Sequence, residues 1–268
     1  HKTQQNTHMN IYGLIGHPLS HSFSRRFFTE KFSAENIDAQ YVNFDIPSIE
    51  MFPDIIKEHP NLLGLNVTIP YKQQVMQYMD SLSQEAEAIG AVNVVKITRQ
   101  EDGKVTATGH NSDVTGFTNS IRPLIKPYHR KALILGTGGA SRAIHYGLQH
   151  KLGIECVFVS RTQKPGMITY EDINADILAE HEVIVNCTPC GMHPHTNEAP
   201  AIPYNLLTPQ HLLYDLVYNP EETLFMKQGA SYGATVKNGY EMLILQAIAS
   251  WDIWNGQNAI QSLDRKND

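Results

Sequence analysis

The chain has 268 residues, of which 41% are hydrophobic and 18% are charged, a composition that is typical of a globular protein and excludes collagen-like, coiled-coil and disordered chains. Three cysteines are too few for a disulfide framework, and a formal net charge of −6 argues against a nucleic-acid partner. No apolar run approaches the roughly 20 residues of a membrane span, so we expect a cytoplasmic protein that binds no membrane and whose partner is a small molecule.

The first half of the chain alternates short apolar runs with segments of helical period. The polar residues His1 to His8 lack a starting Met, and we expect them to be an expression remnant ahead of the folded chain. Strands are predicted at residues 11–15, 41–46 and 62–69, and helices at residues 23–32, 49–56 and 75–82. An Asp102-Gly103 turn between residues 91–98 and 105–108 predicts a hairpin, which would give a mostly parallel sheet one antiparallel edge.

The second half repeats the alternation of strand and helix. A helix predicted at residues 114–125 runs into a polar stretch at 126–130, which we interpret as a domain junction. Five strands are then predicted, at residues 131–135, 155–160, 183–186, 212–217 and 234–237. Apolar residues at helical spacing after Gly239 predict an amphipathic helix whose face comprises Tyr240, Leu243, Ile244, Ala247, Ile248, Trp251 and Trp254.

A glycine-rich turn lies between the strand at 131–135 and the helix that follows it. Its residues are Gly136, Gly138, Gly139, Ala140 and Ser141. Glycines allow a ligand to approach the backbone closely, and the start of a helix presents free N–H groups to a pyrophosphate. This context predicts a dinucleotide-binding turn, with a purely structural tight turn as the alternative.

The end of the next strand indicates which dinucleotide is bound. A chain that binds NAD usually has an acidic residue here to hold the ribose hydroxyls. This chain has Ser160, Arg161 and Thr162 instead. Because the guanidinium group can hold a 2′-phosphate, we predict NADP in preference to NAD. The alternative is that Arg161 is a solvated surface residue.

Candidate substrate residues lie at the strand ends of the first half, where open α/β sheets bind ligands. Lys72 is predicted in the first turn of the helix at 75–82, where the helix dipole disfavours its ammonium form and suits it to acid–base work. An ordinary solvated lysine is the alternative. Asp113 ends the last strand of this half, and it could equally be a helix N-cap. In the turn from Gly16 to Ser24, one serine is explained by helix capping, and two suggest a carboxylate or polyol ligand.

Taken in order, these motifs resemble the shikimate dehydrogenase family over nearly all of residues 9–256. The resemblance implies that Lys72 is the catalytic acid and base and that Asp113 is its partner. It implies that the substrate is held by Ser22, Ser24, Asn66, Thr68, Asn93 and Gln246. It implies that NADP is held by Gly136, Gly138, Gly139, Ala140, Ser141, Ser160, Arg161, Thr162, Thr188 and Gly239.

The resemblance also implies a fold and a reaction. The fold would have an N-terminal, mostly parallel α/β substrate domain at 9–112 plus 239–268, and a Rossmann-type NADP domain at 113–238, with the last helix returning to the first domain. The reaction would be the reversible reduction of 3-dehydroshikimate to shikimate by NADPH, on the pathway to chorismate and the aromatic amino acids. Three positions depart from the usual motifs: Ser112 replaces Thr, Ser160 replaces Asn, and Thr137 replaces Ala.

Other functions are weighed against this one. The chain could be a quinate or quinate/shikimate dehydrogenase, or a sensor that binds NADP without chemistry; the joint presence of Lys72 and Asp113 disfavours the sensor. Cys187 and Cys190 form a Cys-x-x-Cys motif near His193 and His195, which suggests zinc or a redox pair. We expect no metal, because structural zinc sites usually draw their ligand pairs from separated segments. The oligomer is expected to be a monomer or a homodimer.

Overall fold

The computed structural model describes residues 9–20 and 22–256, and the predicted expression remnant at residues 1–8 lies outside them. The chain forms two compact units. Of the described residues, the first unit contains those up to Ser112 and again from Ala247, and the second runs from Asp113 to Gln246.

A six-stranded sheet forms the centre of the first unit. Its strands are β1 Asn10–Gly16, β2 Ala39–Asp45, β3 Leu62–Val67, β4 Ser81–Leu82, β5 Val94–Arg99 and β6 Val105–His110. They are arranged in the order β2-β1-β3-β5-β6-β4. Only β5 runs antiparallel to its neighbours, which confirms a mostly parallel sheet with one hairpin. The prediction that the antiparallel strand lies at an edge is wrong, because β4 pairs with β6 outside the hairpin.

Both faces of this sheet are covered, because successive side chains of a buried strand point to opposite faces. The described part of the first unit contains the α-helices α1 Phe23–Ala34, α2 Phe52–Glu58 and α3 Gln84–Ile89. On one face, Ile15 of β1 packs in a cluster with Phe52 of α2. On the other, Leu14 of β1 packs in a cluster with Phe28 of α1 and with Trp254 near the end of the described chain.

The helix predicted at residues 75–82 is wrong. The segment contains a 3-10 turn, Gln74–Tyr78, and then strand β4. Asp80 explains the difference, because its N–H donates to the carbonyl of Ala107 at 2.9 Å and its Oδ2 accepts from the N–H of Ala107 at 2.7 Å. These bonds to β6 draw the chain into the sheet, and tertiary pairing overrides the helical spacing of the apolar residues.

The second unit contains an entirely parallel sheet. Its strands are β7 Lys131–Leu135, β8 Glu155–Ser160, β9 Ile168–Thr169, β10 Val183–Asn186, β11 Leu212–Asp215 and β12 Thr235–Lys237. They are arranged in the order β12-β11-β10-β7-β8-β9. Counted from β7, this is the 3-2-1-4-5-6 order of a doubly wound dinucleotide-binding fold. The predicted Rossmann class is therefore confirmed, although the two-residue strand β9 was not expected.

Five helices begin in the second unit: α4 Asp113–Ile121, α5 Gly139–Tyr146, α6 Ala175–Glu180, α7 Leu224–Ser231 and α8 Tyr240–Trp254. The polar stretch at 126–130, interpreted above as a domain junction, lies inside this unit. There the Nδ1 atom of the buried His129 accepts from the N–H of Lys126 at 2.9 Å, and its Nε2 atom lies 2.8 Å from the carbonyl of Gln210. These bonds make the stretch a loop that closes onto the unit.

Helix α8 begins in the second unit and ends in the first. Near its start Met242 joins a core cluster of the second unit, and near its end Trp254 joins one of the first. The first unit resumes at Ala247, eight residues beyond the start predicted at Gly239, because the first turns of α8 pack in the second unit. The predicted buried face is also wrong, since Tyr240 and Ile248 are exposed.

Among the described residues no helix has both the length and the apolar character that a membrane span requires.

Candidate functional site

The turn after β1 contains the two serines that were predicted to bind substrate, and the structure gives them different roles. Ser22 is the N-cap of α1, and its Oγ accepts from the N–H of Arg25 at 3.0 Å. The capping alternative therefore holds for Ser22, although its O–H can still donate to a ligand. The hydroxyl of Ser24 instead forms a hydrogen bond with the buried phenol of Tyr41.

A continuous set of neutral hydrogen bonds extends from Tyr41 through the first unit. The phenol of Tyr41 donates to Oδ1 of Asn66 at 2.8 Å, and Nδ2 of Asn66 donates to Oγ of Ser250 at 2.9 Å. Oγ of Ser250 lies 3.2 Å from Oγ of Ser112. Oγ of Ser112 accepts from Nδ2 of Asn93 at 3.0 Å, while the N–H of Ser112 donates to Oδ1 of Asn93 at 2.7 Å. We call these five residues the Tyr41–Ser250 network.

This network brings together predicted and unpredicted residues. Asn66 and Asn93 were both predicted to bind substrate, and both are buried within it. Tyr41 and Ser250 were not predicted, although a buried tyrosine hydroxyl and a serine in an apolar helix both require partners. Burial raises the pKa of Tyr41 far above its usual value, so its phenol remains a neutral donor. None of the five side chains carries a charge.

Thr68 lies beside the turn that contains the serines. Its N–H donates to the carbonyl of Ile15 at 2.9 Å, and a Cβ atom on Gly16 would lie 2.5 Å from its methyl carbon. A glycine is therefore needed at Gly16 for the two segments to approach this closely. The structure thus places the segment at 66–72 against the start of the turn at 16–24.

Lys72 lies in a turn ahead of the 3-10 segment and not in a helix. The helix-dipole argument for its reactivity is therefore wrong, since no α-helix begins there. Its carbonyl accepts from the N–H of Val92 at 2.8 Å, which fixes its backbone beside Asn93. Asp113 directly follows Ser112 and is the first residue of α4. The backbones of Lys72 and Ser112 are thus held by two adjacent residues, Val92 and Asn93.

Gln246 lies one helical turn before Ser250 on α8 and is 8% exposed. Its Nε2 donates to the carbonyl of Leu243 at 3.0 Å. Residues four apart on a helix share a face, so Gln246 and Ser250 lie on the same side of α8. The role of Gln246 in substrate binding stays a prediction.

The glycine-rich turn has the form that a dinucleotide site requires. Gly136 has a φ of +106°, which favours glycine, and a Cβ atom there would lie 2.9 Å from Cγ2 of Thr188. A Cβ atom at Gly138 or Gly139 would meet no atom within 4 Å, so the turn is open where the backbone would meet a pyrophosphate. The N–H and hydroxyl of Ser141 both donate to the carbonyl of Gly138, at 3.0 and 2.5 Å, and Ser141 therefore shapes the turn.

The end of β8 lies beside this turn. The N–H of Gly136 donates to the carbonyl of Val159 at 3.0 Å, next to the buried Ser160, whose Oγ accepts from the N–H of Thr162 at 3.3 Å. Arg161 is exposed, and Lys164 Nζ lies 3.5 Å from Oγ1 of Thr137 in the turn. The position predicted for a 2′-phosphate thus contains two cations and no acidic side chain between residues 160 and 164.

A second polar network lies at the ends of β10 and β11. The fully buried Asp215 accepts from Nδ2 of Asn186 at 3.1 Å, from the N–H of Val217 at 3.0 Å and from Oγ1 of Thr223 at 2.7 Å. Oδ1 of Asn186 accepts from the N–H and Oγ1 of Thr188, at 3.1 and 2.6 Å. We call these five residues the Asp215 network.

The Asp215 network reaches two residues that were predicted to bind cofactor. It holds Thr188, which faces Gly136, and it holds Val217, whose carbonyl accepts from the N–H of Gly239 at 3.3 Å. A Cβ atom at Gly239 would lie 2.1 Å from the carbonyl oxygen of Leu216, so only glycine fits there. Burial raises the pKa of Asp215 to about 6, against the opposing effect of its three hydrogen bonds. Asp215 was not predicted, although an acidic residue within an apolar strand could have indicated a buried polar site there.

The two cysteines of the Cys-x-x-Cys motif lie in surroundings that disfavour their thiolate forms. Burial raises the pKa of both Cys187 and Cys190, which disfavours the thiolate form required for zinc binding or exchange. All three cysteines are free thiols. Within residues 9–20 and 22–256, no three His, Cys, Asp or Glu side chains gather as a set of metal ligands.

Comparisons with known proteins agree with the geometry. A family model described as the shikimate dehydrogenase substrate binding domain matches residues 14–95. The shikimate dehydrogenase (NADP(+)) of Methanococcus maripaludis is 36% identical over 270 residues, covering 94% of this chain and 94% of that protein.

Solved structures extend the similarity to the whole fold. The shikimate 5-dehydrogenase of Thermus thermophilus, solved in complex with NADP(H) and shikimate, is 29% identical with a TM-score of 0.78, covering 92% of this chain and 94% of that one. The quinate dehydrogenase of Corynebacterium glutamicum, solved with NAD, is 27% identical with a TM-score of 0.80, covering 92% of this chain and 94% of that one.

Proposed function

The chain belongs to the shikimate dehydrogenase family, and from this premise we propose that it catalyses the reversible reduction of 3-dehydroshikimate to shikimate, with Lys72 and Asp113 as its acid–base pair. It is an NADP-dependent oxidoreductase. The reaction is a step towards chorismate and the aromatic amino acids.

The observation that carries this proposal is the Tyr41–Ser250 network. It connects Asn66 and Asn93, which the family motifs assign to the substrate, and Tyr41 connects it to Ser24. A cyclic polyol acid presents hydroxyls and one carboxylate. Fixed amides and hydroxyls are the groups that recognise such a ligand, because they can both donate and accept hydrogen bonds.

Lys72 would perform the proton transfer. In the reduction, the oxygen at C3 of the substrate gains electron density and must receive a proton, which the Lys72 ammonium would donate. In the reverse direction the neutral amine would accept it. The Asp113 carboxylate would accept hydrogen bonds from the ammonium and the substrate hydroxyl, and it would keep the positive charge where the oxyanion develops.

The residues of the second unit fit NADP. The open turn at Gly138 and Gly139 leaves room for a pyrophosphate, and Arg161 and Lys164 offer positive charge to a 2′-phosphate. Thr188 and Gly239 would hold the nicotinamide end. When bound, NADPH supplies the hydride that reduces the C3 carbonyl.

Quinate is the second candidate substrate, because the similarity to the Corynebacterium quinate dehydrogenase covers 92% of this chain. The test is to follow NADP⁺ reduction by absorbance with shikimate and quinate in parallel. We expect turnover with shikimate and a much lower kcat/KM with quinate. Equal rates would assign a dual quinate/shikimate dehydrogenase, and NADP binding without turnover of either acid would assign a sensor.

We further propose that the enzyme works in the cytoplasm, where its three free thiols stay reduced. One chain contains both the substrate residues and the cofactor residues. A monomer would therefore suffice, and a homodimer would contain two complete sites.

A further inference from the structure

We propose that Ser250 on α8 is a positioning residue that fixes the amide of Asn66 for substrate binding. The inference rests on the proposed function. The family motifs above do not assign Ser250, which lies in a helix that is otherwise largely apolar. Its side chain is fully buried, and its Oγ lies within hydrogen-bond distance of both Asn66 and Ser112.

The direction of each hydrogen bond explains why Ser250 is needed. Asn93 is oriented by a group that can only donate, because the backbone N–H of Ser112 requires Oδ1 of Asn93 as its acceptor. Asn66 has no such backbone partner in the network. Its neighbours are the hydroxyls of Tyr41 and Ser250, and each hydroxyl can either donate or accept.

Two hydroxyls together can orient an amide that one cannot. With Ser250 present, Nδ2 of Asn66 donates to Ser250 and Oδ1 accepts from Tyr41. Without the Ser250 hydroxyl, Tyr41 could pair with either end of the amide. Asn66 could then turn over and present the wrong group to the substrate, or leave a buried N–H unpaired, which is unfavourable.

Ser250 also connects the two amides of the site. Its Oγ lies 3.2 Å from Oγ of Ser112, which accepts from Asn93. Asn66 therefore contacts Ser250 directly, and Asn93 is connected to Ser250 through Ser112. Ser112, which contacts Ser250, directly precedes Asp113, the proposed partner of Lys72.

The test compares Ser250→Ala with a matched control in the second unit. Ser120 is also fully buried, and its hydroxyl contacts the carbonyl of Phe117 at 3.0 Å and the phenol of Tyr214 at 2.5 Å. Ser120→Ala therefore removes comparable hydrogen bonds outside the Tyr41–Ser250 network. The measurements are Tm and the KM values for shikimate and for NADP⁺.

We expect both variants to lose Tm, and only Ser250→Ala to raise KM for shikimate, by roughly 5- to 30-fold, the range of one lost hydrogen bond. KM for NADP⁺ should change less than about twofold, because the lost hydrogen bond lies in the first unit and the proposed NADP residues lie in the second. If Ser250→Ala loses Tm with an unchanged KM for shikimate, its role is only structural and the proposal is overturned. A parent enzyme that does not oxidise shikimate would instead contradict the proposed function.

Ser250→Cys keeps the test valid if the alanine variant does not fold. Cysteine has nearly the size of serine, and its sulfur is a weak acceptor and donor. We expect a KM for shikimate above that of the parent and below that of any folded alanine variant. A parent-like KM would show that the hydrogen bond is not needed and would overturn the proposal.

Discussion

The two polar networks differ in charge. The Tyr41–Ser250 network of the first unit consists of hydroxyls and amides, whereas the Asp215 network of the second unit is centred on a buried carboxylate. A neutral network keeps the same hydrogen bonds over a wide pH range. A network built on an acid with a raised pKa changes when that acid takes up a proton. The hydrogen bonds of the Tyr41–Ser250 network should therefore not depend on pH, whereas those of the Asp215 network should.

The largest expected effect is the loss of proton transfer at Lys72, which belongs to neither network. Lys72→Ala should lower kcat at least about 100-fold, because it removes the group that transfers the proton, and should leave the Kd for NADP⁺ nearly unchanged. Asp113→Asn should act in the same direction but less severely. Steady-state rates and cofactor titration measure this, with Lys104→Ala, an exposed lysine of the same unit, as control. Near-normal turnover of Lys72→Ala would refute the assigned chemistry.

The next prediction concerns the charge of the Asp215 network. Burial raises the pKa of Asp215 to about 6, from an ordinary value near 4. The folded protein therefore binds this proton more tightly than the unfolded chain. The stabilisation is fully present below about pH 4 and is lost as the pH rises through about 6, and two pKa units amount to about 3 kcal/mol.

Asp215→Asn isolates this effect. The amide oxygen can still accept from Val217 and Asn186, while Thr223 can turn its hydroxyl to accept from the new amide nitrogen. Urea unfolding of both proteins should show the stability of the parent relative to the variant falling by about 3 kcal/mol between about pH 4 and pH 7. A difference that stays constant over this range would show that Asp215 does not titrate there.

The next prediction concerns Arg161 and the 2′-phosphate, the group that distinguishes NADP⁺ from NAD⁺. Arg161→Ala should weaken NADP⁺ binding by about 10- to 150-fold, the range of one charge-assisted hydrogen bond. NAD⁺ lacks the 2′-phosphate and should bind the variant as it binds the parent, so it serves as the internal control. Equal losses for both cofactors would mean that Arg161 supports the fold. No loss for either would move the phosphate contact to Thr162 or Lys164.

The smallest effects are expected at the two serines of the substrate turn. Ser22→Ala and Ser24→Ala should both raise KM for shikimate and leave kcat almost unchanged, because they hold the carboxylate equally in the ground and transition states. Ser22→Ala should in addition lose about 1 kcal/mol of stability, since Ser22 caps α1. Kinetics and thermal unfolding of both variants check this. A loss confined to kcat would argue against carboxylate binding by these residues.

The positions of several strands and the glycine-rich turn could be predicted because their signals are local. The runs at 131–135, 155–160 and 183–186 match β7, β8 and β10 residue for residue. The helix expected at 75–82 failed because Asp80 pairs with Ala107, a contact 27 residues away. The predicted face of α8 was wrong because Tyr240 and Ile248 are exposed, whereas Met242 packs in a cluster of the second unit and Trp254 in a cluster of the first.

The site could be predicted only in part, because several of its contacts join residues that are distant in the sequence. Residues inside recognisable motifs, such as Asn66, Asn93 and Thr188, could be proposed from the sequence, and their roles stay predictions. Their supports could not be proposed, since Ser250 lies 184 residues from Asn66 and no short motif joins them. The reactivity of Lys72 was inferred from a helix that does not exist, so its proposed role depends on the family resemblance and on the backbone bond to Val92.

The central claim, that one network serves the substrate and the other the cofactor, is tested most directly by two matched asparagines. Asn66 and Asn186 are both buried amides at the centre of their networks. The measurement is KM for shikimate and for NADP⁺ in Asn66→Ala and Asn186→Ala. We predict that Asn66→Ala raises only the shikimate KM and Asn186→Ala only the NADP⁺ KM, each by about 5- to 150-fold. Variants that raised both constants alike, or the opposite one, would contradict the claim.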